Sequence, residues 1–184
     1  MKEIKKENTP TIETERLLLR KFNDSDIPEI YQIFSDEITN TFLPWDVFQS
    51  LEDAKKYLEE SVYSRYQREI AYRYAIVLKE ENRMIGYVSL GNVNEEEATG
   101  EIGYGVNRDY WGKGIASEAT KAVLEKLREN GFYSIYATHD VENIGSGRVL
   151  NKVGMTYIRS YEEVWQPKNR VVTFHYYQID FKNE

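Results

Sequence analysis

The sequence predicts a mixed α/β (α+β) fold in which helices flank one central, mostly antiparallel sheet. Three observations carry that prediction. Apolar residues recur at helical spacing in only four stretches, near 27–34, 51–66, 115–127 and 144–153. The stretches between them are short and rich in β-branched and aromatic residues, as strands are. The two kinds follow one another irregularly, without the strict alternation of a dinucleotide-binding fold. No linker, repeat or low-complexity tract interrupts the 184 residues, so 1–184 reads as one domain. Within it, 1–12 is expected to be poorly ordered.

The elements follow in order. Arg16-Leu17-Leu18-Leu19-Arg20-Lys21-Phe22 reads as a first strand. Asn23-Asp24-Ser25-Asp26 offers helix-cap chemistry ahead of Ile27, Ile30, Tyr31 and Phe34, which share one helical face. Residues 39–45 are irregular and aromatic. Leu51, Ala54, Leu58 and Val62 form the stripe of a second helix reaching about 66. Strands are predicted over 72–78 and 84–90 around the polar turn 79–82, and over 101–106 after a polar turn at 92–100. A third helix runs from Ile115 to the stop at Gly131, and a short strand follows at 134–137. A helix over 144–153 ends at Gly154, and strands 157–164 and 172–180 close the chain.

Composition narrows the chemistry. A 41% hydrophobic and 30% charged content describes a globular protein, and no apolar run approaches a membrane span. The charged N-terminus lacks the apolar segment of a secretory signal, so a cytoplasmic location is expected. A net charge of −7 without a basic cluster argues against nucleic acid as a partner. With no cysteine there is no disulfide, thiolate metal site or cysteine nucleophile. His139, Asp140 and Glu142 match no ligand motif, so no metal is expected.

Two local features point to a binding groove. The helix beginning at Ile115 follows Gly114, which has no side-chain oxygen to cap it. Its free N–H groups and positive dipole end are therefore open to an anion such as a phosphate, with Lys113 adding a cation. Just upstream, Glu101, Gly103 and Gly105 share one strand face, and Ile102, Tyr104 and Val106 share the other. Two glycines inside a strand suggest a bulge or a closely approaching ligand.

Tyr110-Trp111-Gly112-Lys113-Gly114-Ile115-Ala116-Ser117-Glu118-Ala119 resembles the acetyl-CoA-binding motif of the GNAT superfamily of N-acetyltransferases. The likeness is narrower toward the branch containing the ribosomal-protein acetyltransferases RimJ and RimL. Thr14-Glu15-Arg16-Leu17-Leu18-Leu19-Arg20, Phe42-Leu43-Pro44-Trp45, Ile102-Gly103-Tyr104, Asn143-Ile144-Gly145-Ser146 and Val149-Leu150-Asn151-Lys152-Val153-Gly154-Met155 extend it over nearly the whole domain. The resemblance implies a GNAT-like fold and acetyl-CoA as co-substrate. Amides of Trp111, Gly112, Lys113, Gly114, Ile115 and Ala116 would cradle its pyrophosphate, and the strand through Tyr104 and Val106 would pair with the pantetheine arm. A backbone N–H near Tyr104 would stabilise the acetyl oxygen, and Asn143 would bond the pantetheine amides; its plain alternative is a helix cap.

Catalytic assignments depart from the superfamily in places. Asp109 stands where the broad pattern has Gln or Arg, and Leu150 where it often has a proton-donating Tyr. Ser146, one turn earlier, matches the serine given that role in the RimL-like branch. Glu101 is the first candidate for the base, with Glu163 and His139 as options; Trp165 holds the position of the branch's glutamate. Without cysteine, transfer would be direct attack by an amine. Phe42 and Trp45 are candidate acceptor walls. The expected acceptor is a primary amine, the N-terminus of a protein such as a ribosomal one. Alternatives are a polyamine, amino acid or antibiotic, or a catalytically silent acyl-CoA-binding module. Dimers are frequent among similar proteins, so a homodimer is a further expectation.

Overall fold

A computed structural model describes residues 3–166 and 169–181 of the chain. Its centre is an eight-stranded sheet in the order β1-β2-β3-β4-β5-β6-β8-β7, with β1 Ile12–Glu13, β2 Leu17–Arg20, β3 Arg73–Leu78 and β4 Arg83–Asn94. The remaining strands are β5 Thr99–Val106, β6 Ser134–Asp140, β7 Thr156–Trp165 and β8 Arg170–Asp180. Every neighbouring pair is antiparallel except β5 and β6. The predicted class therefore stands.

Helices cover the two faces separately. On one lie α1 Ile27–Ser35 and a long irregular helix: α2 Leu51–Tyr57, a π-helical stretch Leu58–Tyr63 and α3 Ser64–Tyr66. On the other lie α4 Ile115–Glu129 and α5 Ile144–Lys152. β3 divides its side chains between the two cores as its period of two requires: Tyr74 and Ile76 face α4, Ala75 and Val77 face α1 and α2. The cap chemistry read at residues 23–26 is present, and the structure adds a second cap at Ser50 that the sequence reading did not single out. Asn23 and Ser50 each close a capping box, with Asp26 and Asp53 returning the bond.

Three differences from the sequence reading have physical reasons. The arms of the β4–β5 hairpin are longer than predicted and reach Asn94 and Thr99, because cross-strand pairing overrides the low strand propensity of Asn92 and Asn94. β6 continues through His139 to Asp140 because β8 pairs with it along its whole length. Residues 3–11, expected to be poorly ordered, are packed: Ile4 is buried, the Lys5 N–H bonds the Asn130 carbonyl, and the Thr9 N–H bonds the Ala71 carbonyl. No periodicity announces such an extended strap.

Among the described residues no helix is long and apolar enough to cross a membrane. What positions the site is the partial pairing of β5. Its ladder with β6 covers only Thr99, Glu101 and the residue between them, after which the strands part. On the other side β4 stays paired to the end of β5, and Gly86 opposite Val106 makes this possible. A Cβ at Gly86 would lie 2.5 Å from the Gly105 carbonyl oxygen. Gly86→Ala should therefore push the two strands apart and lower stability by about 1–3 kcal/mol, read by chemical denaturation.

Candidate active site

The register of β5 decides which of its backbone groups remain available. The Asn107 N–H bonds the Ile85 carbonyl, while the Leu90 N–H bonds the carbonyl of Tyr72, just before β3. In an antiparallel ladder these roles alternate, so Ile102, Tyr104 and Val106 point their N–H and C=O groups away from β4. Beyond Glu101 no β6 partner meets them there. The gap opens into a cleft of about 480 Å³ that reaches both faces of the sheet. Tyr104, Val106, the turn before α4, Asn143 and Ser146 line one side; Phe34, Phe42 and Tyr87 line the other.

The turn into α4 has the geometry of an anion cradle. Gly112 and Gly114 sit at φ +73° and +75°, where an L side chain is strained. A Cβ on Gly112 would meet nothing within 4 Å, so the space above the turn is open. Gly114 is the N-cap residue and supplies no side-chain cap, leaving the first N–H groups of α4 without one. Cations gather round it: the Arg16 guanidinium and the Lys152 ammonium each come within 3.6 Å of where a Gly114 Cβ would stand. Arg16 also donates to the Lys113 carbonyl at 2.9 Å and pairs with Glu118 at 2.7 Å. Trp111 is half exposed and donates its indole N–H to the Val106 carbonyl at 2.8 Å, tying the turn to the end of β5. Lys113 lies over the Tyr110 ring and is not among the cleft residues.

Ser146 is held from several directions. The Asn143 side-chain carbonyl accepts the Ser146 N–H at 3.1 Å, so Asn143 does cap α5. The Tyr104 hydroxyl stands 2.9 Å from both the carbonyl oxygen and the Oγ of Ser146. Burial pushes the Tyr104 phenol well above its ordinary value and keeps it protonated. This Tyr104–Ser146 pair was not anticipated, although the strand period does place Tyr104 on the α5 face. Leu150 is fully buried in the core.

Other predicted residues stand elsewhere. The Glu101 carboxylate accepts from Asn92 Nδ2 at 2.7 Å and Thr138 Oγ1 at 3.2 Å. It is three residues, about 10 Å, from Tyr104 and on the opposite face of β5. It does not line the cleft, and neither do Glu163, His139 or Trp45. Trp45 packs against Phe34 at 6.3 Å between ring centres, and Trp165 packs against Phe174. Of the two strand glycines, Gly105 is explained from inside the protein, since its Cβ would fall 2.6 Å from the Tyr87 ring. Gly103 is bare: a Cβ there would meet only the Ser89 hydroxyl, at 3.8 Å.

Comparison with known proteins follows the same outline. The Acetyltransferase (GNAT) domain model matches residues 16–156, and the chain belongs to that family. An uncharacterized N-acetyltransferase, YnaD of Bacillus subtilis, is 36% identical over 145 residues, covering 78% of this chain and 81% of that protein. The ribosomal-protein-serine acetyltransferase of Escherichia coli is 30% identical over 127 residues, 67% of this chain and 69% of that one. The crystal structure of a GNAT-family acetyltransferase from Bacillus anthracis superposes with a TM-score of 0.83 at 29% identity, covering 95% and 100% of the two chains. The protein is an acetyl-CoA-dependent acetyltransferase of the GNAT type.

Two outcomes follow from this geometry. Gly114→Val strains the left-handed cap and fills the space over the amides, so CoA affinity should fall at least about tenfold in a calorimetric titration. His139 is buried beside His175 and Tyr177, and burial holds its basicity below that of an ordinary histidine. The unfolded chain then binds the proton first, so folded stability falls as pH drops through the ordinary histidine range. Melting temperatures at pH 8 and 5.5 should differ less for His139→Gln than for the unchanged protein.

Proposed function

We propose that the protein moves the acetyl group of acetyl-CoA to a primary amine by direct attack, the acceptor being the N-terminal amine of a protein. The carrying observation is the cleft through the sheet. One side presents an uncapped helix start and an unpaired strand edge; the other presents the aromatic Phe42 side to an acceptor. The pyrophosphate lies on the amides of residues 111–116, with Lys152 and Arg16 beside Gly114 supplying positive charge. The pantetheine arm runs along the free edge at Tyr104 and Val106 toward Asn143. The Trp111 indole already donates to the Val106 carbonyl, so at Val106 the edge offers the arm its N–H group.

In the transfer a new N–C bond forms as the C–S bond breaks. Negative charge growing on the acetyl oxygen is met by the Tyr104 backbone N–H. Ser146 gives its proton to the departing thiolate and is reprotonated from solvent, and its own hydrogen bond with Tyr104 keeps the hydroxyl in place. The amine must lose a proton, and no carboxylate lines the cleft among the described residues. Glu101 serves as base through water, across the bare surface of Gly103 on the same strand face.

Similarity to a ribosomal-protein-serine acetyltransferase supports the protein acceptor. A homodimer is supported by the outermost strand β7, whose Ile158 and Val164 are exposed, as is Val171 beside it.

Free-thiol release from acetyl-CoA, measured with peptides of varied N-terminus, spermine and free amino acids, tests this reading. Turnover on peptides supports the protein acceptor, turnover on spermine or amino acids alone moves it to a small molecule, and binding without turnover makes the chain a CoA-binding module. Ser146→Ala should lower kcat about 100-fold with the acetyl-CoA KM within about threefold. Glu101→Gln should lower kcat at least about tenfold in the same assay.

A further inference from the structure

Gly147 is the next residue after Ser146 on α5, and it is buried against β6. A Cβ there would lie 3.0 Å from both Cε1 and Nε2 of His139, several tenths of an ångström inside ordinary contact. The His139 ring has little room to yield. Its Nδ1–H donates to the Asp140 carbonyl at 2.7 Å, and its faces and edges meet His175 at 5.3 Å and Tyr177 at 5.6 Å. The residue is 7% exposed, and Nε2, the edge turned to the helix, has no hydrogen-bond partner among the described residues. What the contact provides is a hard surface at a set height.

We propose that His139 and Gly147 form a steric seat that fixes the height of α5 over the sheet and thereby positions Ser146 against Tyr104 and the cleft. His139 is a positioning residue in this arrangement and does not act as the base. The inference rests on the role proposed for Ser146. The seat works because residues 146 and 147 are adjacent on one helical turn: lowering Gly147 onto the imidazole brings the Ser146 hydroxyl within reach of Tyr104. A methyl group at 147 lifts this end of α5, and with it the hydroxyl and the Asn143 cap.

The test is a cycle of Gly147→Ala, His139→Ala and the double variant. It is read by thiol release, with the most active amine of the panel and with water as acceptor, alongside melting temperature and CoA affinity. Gly147→Ala alone should lower kcat at least tenfold while CoA affinity changes less than about threefold. Removing the imidazole in the double variant should restore most of the lost kcat and melting temperature; additive losses would overturn the seat. If Gly147→Ala does not fold, recovery of folding in the double variant supports the clash, and its absence overturns it. Repeating Gly147→Ala in the Ser146→Ala background separates the two readings. Activity unaffected by Ser146→Ala means that the role of Ser146 fails. Activity lost with Ser146→Ala but lowered again by Gly147→Ala means that the positioning fails.

Discussion

The whole site depends on how few residues join β5 to β6. A parallel pair is held by evenly spaced, slanted hydrogen bonds, and here only three residues of each strand contribute them. Had the ladder continued, the N–H groups of Tyr104 and Val106 would be spent inside the sheet and no cleft would exist. The sheet tolerates the break because β4 and β8 hold the outer sides of the two strands over long antiparallel ladders. Parting is therefore a local defect in a continuous structure, and it costs no second domain.

Glycine and bulk are matched around that defect. Gly86 lets the Gly105 carbonyl approach, Gly105 receives the Tyr87 ring, and Gly147 receives the His139 imidazole. Each pair draws two elements closer than a Cβ would allow, and each lies beside the cleft. Gly112 and Gly114 serve a different need: their positive φ angles turn the chain into α4, and the space above Gly112 holds no protein atom. Glycine marks both close packing and an open binding surface in this chain, and only the neighbours tell them apart.

That distinction explains what the sequence disclosed. Elements set by local chemistry were legible: the cap chemistry at residues 23–26, the α4 stripe, the uncapped start at Gly114. So was Ser146, through motif and resemblance. Hidden were the features that depend on distant residues. Arg16 is 102 positions from the Glu118 it pairs with, and no periodicity links them. The glycine pattern of β5 suggested one ligand surface, yet the Tyr87 ring fills Gly105 from the next strand. Glu101 was readable as a candidate base, but its partners Asn92 and Thr138 come from two neighbouring strands.

The amino-terminal strap touches structures on both sides of the sheet. Asn8 donates to carbonyls at the end of α3, while Ile4 enters the core beneath α4 and Glu7 accepts from Asn130 just beyond it. Asn130 in turn donates to the buried Tyr72 hydroxyl. A few residues of extended chain thus couple the two helical layers across the sheet. Loss of either layer frees the strap and exposes the other, which makes the two cores a single cooperative unit in unfolding.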